Sequence, residues 1–243
     1  MTKRKSRTGL ILMLLGGAML LGAAGYLAAN LYEENQAGTA SASAAARIRL
    51  HLSGADATPT LPGDATPTLP GDATPDPSLP QPTPSPEPGA TPLPGALPTD
   101  QPLYVQNPGL TMPEQVIDGQ AYIGIMAIPK LGLELPVISE WSYPKLKLAP
   151  CRFTGSVYRD DMIICGHNYV NHFRRFTEME DGDVILFTDM DGNVFRYEVI
   201  LKELIGRNDT ASMVGGEWDL TLFTCEKGGK NRVTLRCRRI SKP

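Results

Sequence analysis

Histidine, tryptophan and cysteine are scarce in this sequence, with three, two and four residues in 243. Both tryptophans and all four cysteines lie after residue 140, so the material for a folded core sits in the C-terminal part. Dense basic clusters are missing outside the first seven residues and the last few, and the net charge is −3. Nucleic-acid binding needs clustered Lys and Arg to neutralise phosphates, so no nucleic-acid partner is expected. Arg236, Arg238 and Arg239 read instead as a solvated strand face. Large apolar residues are almost absent between residues 54 and 102, where 15 of the 22 prolines fall. Such a segment cannot offset the entropy lost on folding. The folded domain therefore begins near Leu103. The roughly 140 residues that follow suffice to bury a core without disulfide or metal staples.

Charge is also absent from a long run near the start. Residues 1–8 form a basic tail with Lys3, Arg4, Lys5 and Arg7, and residues 9–31 are uncharged and apolar. An apolar helix needs about 20 residues to cross a bilayer, whereas the core of a cleaved signal is about 7–15. The run reads as an uncleaved single-pass anchor in the cell membrane. The positive-inside rule leaves the N-terminus in the cytoplasm and the rest of the chain extracellular. Residues 32–102 read as a stalk rich in Pro, Thr and Ala. Within it, Asp56 to Gly63 and Asp64 to Gly71 both spell Asp-Ala-Thr-Pro-Thr-Leu-Pro-Gly. Proline at this density favours extended polyproline II, about 3.1 Å per residue, so the stalk reads as a semi-rigid spacer. Residues 44–52 suggest a short helix or strand just outside the membrane.

Residues 103–243 read as mostly β. Strands are expected at Tyr122 to Ile128, Leu133 to Ile138, Asp161 to Cys165, Asp183 to Thr188, Val194 to Leu201, Leu220 to Thr224 and Val233 to Ile240. Asp191-Gly192 is a hairpin signal, and Pro136 places its strand at an edge or a bulge. Seven or eight short strands suggest a barrel. Short helices are expected at Tyr143 to Leu148 and Phe173 to Met179.

Three residues carry the chemistry. Thr221 to Cys225 alternates as a strand does, and Cys225 ends it before a Gly-rich turn. Arg232 opens the return strand, so a hairpin brings the two together. A guanidinium offers five fixed donors. Beside a cysteine it favours the reactive thiolate and bonds the oxyanion formed when a carbonyl is attacked. His167 follows the apolar run Ile163 to Cys165 and a glycine, at a strand end. Thiol and imidazole together suit nucleophilic attack on a carbonyl, with the imidazole donating a proton to the leaving amine.

The pentapeptide Thr221-Leu222-Phe223-Thr224-Cys225 resembles the T-L-x-T-C signature of sortases. Gly166-His167-Asn168 resembles their histidine motif, and Arg232 with Val233, Thr234 and Leu235 resembles their arginine strand. Ile128 to Leu131, Leu135 to Val137 and Pro150 to Ser156 also resemble family stretches, in family order. The resemblance implies an eight-stranded sortase-like β-barrel with a few short helices. It implies a cysteine transpeptidase with Cys225 as nucleophile, His167 as proton carrier and Arg232 as oxyanion stabiliser. Thr224 and Asn168 are the implied substrate contacts. Cleavage would fall in the C-terminal sorting signal of a secreted protein, leaving a thioacyl-enzyme. An amine of a peptidoglycan precursor or a pilin would then resolve it. Gly166-His167-Asn168 resembles the class B motif, while the segment from Leu201 to Leu220 is short for class B. The sorting motif, LPxTG-like or NPxTN-like, stays open.

No cofactor or metal is expected. Cys165, His167, Cys225 and Cys237 match no common zinc spacing. The Asp181-Gly182-Asp183 and Asp189 to Gly192 stretches lack the terminal Glu of a calcium loop. Cys151, Cys165 and Cys237 read as small packed residues, and His172 as a surface residue. Two other functions fit the anchor and stalk: a non-enzymatic wall-binding module, and a cysteine protease that hydrolyses its thioester.

Overall fold

We describe residues 7–54, 101–226 and 228–240 of a computed structural model. The Pro-rich repeats lie outside these residues. Nine strands form one sheet: β1 (Gln115–Ile117), β2 (Gln120–Ile128), β3 (Leu133–Ile138), β4 (Cys151–Thr154), β5 (Met162–Cys165), β6 (Val184–Asp189), β7 (Val194–Gly206), β8 (Leu220–Cys225) and β9 (Asn231–Arg239). Their spatial order is β1-β2-β3-β4-β5-β8-β9-β7-β6, and β6 pairs back onto β2. Strands β2 to β9 therefore close into the expected eight-stranded barrel, with β1 as an outer hairpin arm. Only β3–β4 and β5–β8 are parallel junctions.

The barrel closes because every barrel strand except β4 presents apolar side chains to one core. Ile123, Met126, Leu135, Ile164, Phe187, Phe195, Tyr197, Leu222 and Leu235 share one buried core. Pro136 falls where its missing N–H costs nothing, because β3 meets β4 at one pair, Ile138 opposite Cys151. The short strands β1 and β4 were not foreseen, and β7 runs to Gly206, beyond the expected end at Leu201. A register shift between Val199 and Leu201 explains the second miss. Around the shift Ile200, Leu201 and Lys202 are all exposed, so the alternation stops while the strand goes on.

The first helix, α1 (Arg7–Leu52), has 46 residues, or about 69 Å at 1.5 Å per residue. From Leu10 to Leu31 its large apolar side chains are exposed, and its first half is long and apolar enough to cross a membrane. Its second half is amphipathic. Ala37, Ser41, Ala44, Ala45 and Ile48 are buried, and that spacing marks one helix face. Ala44, Ala45 and Ile48 pack with Ile117 of the β1 arm and with Tyr122, Ile125, Ile138 and Cys151 of the barrel wall in a second core. Arg49 pairs with Glu134, and Arg47 with Asp118 at 2.9 Å. The stalk expected from residue 32 is thus corrected. Residues 32–52 continue the helix, because their small apolar face has a surface to bury against.

Two further expectations are overturned. Arg236 is 2 % exposed. It donates to Glu203 at 2.7 Å, Met213 O at 2.9 Å, Thr221 Oγ1 at 3.1 Å and Ser212 O at 2.5 Å. Arg239 lies over Phe195 and pairs with Asp160 at 3.1 Å. Only Arg238, over Trp218, keeps a largely solvated face. His172 is fully buried rather than on the surface.

Candidate active site

The β8–β9 hairpin sets the first two candidate residues face to face. Cys225 pairs with Arg232 in the ladder, and Arg232 Nη1 donates to Cys225 Sγ at 3.2 Å. Behind them, Glu226 N donates to Asn231 O, and Asn231 Nδ2 to Glu226 Oε2, both at 2.9 Å, which fixes the turn. Of the four cysteines only Cys225 is exposed. Burial pushes the Cys151 thiol up to about 12 and raises Cys165 and Cys237 as well. Cys151 and Cys165 face each other across β4–β5 as free thiols.

Cys225 and Arg232 lie in a cleft of about 310 Å³. One wall comes from the β3–β4 connection and β4: Trp141, Tyr143, Leu146 and Phe153. Gly206, Asp209, Thr210 and Met213 supply the other. Asp209 caps α4 (Thr210–Val214), accepting from Ser212 N at 3.0 Å. The buried Arg236 then clamps the far end of that helix through the Ser212 and Met213 carbonyls. Neither Arg236 nor α4 was identified from sequence. A guanidinium in an alternating strand looks solvated until the element covering it is known. Thr224 is buried at the cleft, and its Oγ1 has no hydrogen-bond partner.

His167 sits beside this pair along the backbone. The parallel β5–β8 ladder places Cys165 opposite Phe223, and Gly166 N donates to Phe223 O at 3.0 Å. His167 and Cys225 are each two residues past that last pair. A side chain at Gly166 would meet the Phe173 ring at 2.4 Å, so only glycine lets the chain pass there. The imidazole does not line the cleft. It stacks on Tyr169, with ring centroids 3.9 Å apart and planes 16° apart. Its Nδ1 is buried without a partner. Burial holds the His167 pKa below the ordinary histidine value. Lys147 and Arg174 press the same way, and Glu33 and Glu34 oppose it. The structure therefore brings Cys225, Arg232 and Thr224 together in one cleft, and His167 directly follows Gly166 of the cleft lining in the chain. Asn168 does not line the cleft, and its carbonyl accepts from Arg174 Nε at 3.2 Å.

Among the described residues, no group of three or more His, Cys, Asp or Glu is arranged to hold a metal. Asp189, in one stretch weighed as a calcium loop, spends its carboxylate on Tyr158, Asn193 and the Asp191 amide.

Residues 126–240 match the family model for the Sortase domain. Sortase D of Bacillus subtilis is 30% identical over 112 residues, covering 44% of this chain and 55% of that protein. The chain thus spans little more than half the length of that relative. Among solved structures, sortase A from Corynebacterium diphtheriae is similar over 51% of this chain and 63% of its own, with 21% identity and a TM-score of 0.45. A Clostridium perfringens sortase D5 transpeptidase is similar over 52% and 83%, with 22% identity and a TM-score of 0.45. Sortase C1 from Streptococcus agalactiae is similar over 53% and 72%, with 21% identity and a TM-score of 0.46. The domain formed by residues 126–240 belongs to the sortase family.

Proposed function

We propose that this protein is a membrane-anchored cysteine transpeptidase acting on the C-terminal sorting signal of secreted proteins. The observation that carries the reading is the 3.2 Å contact from the Arg232 guanidinium to the exposed Cys225 sulfur at the end of an aromatic-walled cleft. Cys225 attacks the scissile carbonyl. Arg232, whose guanidinium touches the sulfur, bonds the negative charge that develops on the carbonyl oxygen. His167 accepts the proton of the Cys225 thiol and passes it to the leaving amine as the C–N bond breaks. The thioacyl-enzyme then yields to an incoming amine on a peptidoglycan precursor or a pilin. The Thr224 hydroxyl, buried beside the cleft without a partner, supports its reading as a substrate contact. A buried polar atom without a partner costs free energy until one arrives. The first half of α1 is the anchor, its basic end in the cytoplasm and the barrel outside.

The test is a product assay on the full chain in detergent, using LPxTG-like and NPxTN-like peptides with and without an amine such as triglycine. Mass spectrometry should find a ligated product with one motif when the amine is present. Cys225→Ala should give none. Hydrolysed peptide alone, even at high amine concentration, would make the protein a protease. Turnover by Cys225→Ala at the wild-type rate would remove the nucleophile assignment.

A further inference from the structure

The extramembrane half of α1 touches the segment that carries His167 at every turn. Glu33 accepts from the Tyr169 hydroxyl at 3.5 Å and from Lys147 at 3.3 Å. Glu34 accepts from the Val170 amide and pairs with Arg174 at 3.3 Å. Gly38 brings the helix backbone so close that a side chain there would meet the Asn171 amide at 2.4 Å. Ser41 donates to Leu148 O at 2.8 Å and lies 3.2 Å from Nε2 of the buried His172. The contacts follow one helix face over about two turns and end on the loop whose Tyr169 ring lies against His167.

We propose that Tyr169 is a positioning residue for His167, and that docking of α1 on the barrel sets Tyr169. The helix beyond the anchor is then a working part of the catalytic domain. Glu33 and Ser41, more than 120 residues before the imidazole in sequence, help to hold it. A flat ring at 3.9 Å leaves the imidazole few orientations. The charged and titratable groups around the ring come from four places: Glu33 and Glu34 on α1, Lys147 after α3 (Tyr143–Leu146), Tyr169 and His172 on the loop, and Arg174 after it.

The catalytic part of this proposal rests on the function proposed above, and the experiment separates the two. In the full chain in micelles, the His167 ring is titrated by NMR. Glu33→Gln should lower its midpoint, and Lys147→Met should raise it. Tyr169→Leu should move the ring resonances, and Ala45→Asp, which wedges a charge under α1, should move them the same way. In the peptide assay, Tyr169→Leu and Ala45→Asp should lower kcat about tenfold with KM nearly unchanged, while Tyr169→Phe, which keeps the stack, should retain most of kcat. Unmoved midpoints and resonances in folded variants would overturn the link from α1 to His167, whether or not any peptide is cleaved. Shifted resonances with kcat unchanged or raised would overturn the positioning role alone.

Discussion

His172 shows how a residue with no visible role in the sequence acquires one by burial. It stands five positions after His167 and looks like a loop residue, yet it is fully buried with Nε2 facing Ser41. Burial, with a smaller contribution from His167, holds its pKa down to about 4 from 6.5. The unfolded chain therefore binds a proton between those values that the folded chain does not. Stability contributed by this group is present above about pH 6.5 and is lost as pH falls towards 4, at most about 3 kcal/mol. Urea denaturation between pH 4 and 7 should show a steeper loss in the wild type than in His172→Gln, and equal slopes would contradict this. Cys225 and Arg232 were legible because their signals are local: an alternating strand, a turn and a return strand. The burial of His172 and the orphaned hydroxyl of Thr224 were not, since the surfaces covering them come from distant parts of the chain.

At the scale of elements, strands with clean alternation were legible to within two residues, and those without it were not. β4 has four residues and β1 three, too few to show a period. The far half of β7 hid behind its bulge, and with it α4, which walls the cleft. Arg236 holds that wall. Arg236→Met should leave the Ser212 and Met213 carbonyls unpaired, at about 1–3 kcal/mol for each buried acceptor. The expected result is a lower denaturant midpoint and a raised KM for the peptide. Arg238→Met, at the solvated neighbour, should change neither.

For the whole molecule, the largest difference from the sequence reading concerns what joins the barrel to the apolar N-terminal segment. Composition pointed to the Pro-rich spacer. The structure instead runs one helix from the apolar segment onto the barrel wall, with Ile48 fully buried there. The helical face was hard to read because it is built from alanine and serine, small residues that carry little hydrophobic signal. With α1 as the tether, the number of eight-residue units should not alter the height of the cleft above the bilayer. Deleting Asp64 to Gly71 should leave fluorescence transfer from a dye near the cleft to labelled lipid unchanged, and a change would restore the spacer to that role. The barrel also has a loose stave. β3 and β4 share one ladder pair, Pro136 offers no N–H, and the segment bridging the gap carries Trp141 and Tyr143. Whatever widens the mouth of the cleft meets least resistance along this seam, so a bulky guest can be admitted without unstitching the hairpin that holds the sulfur.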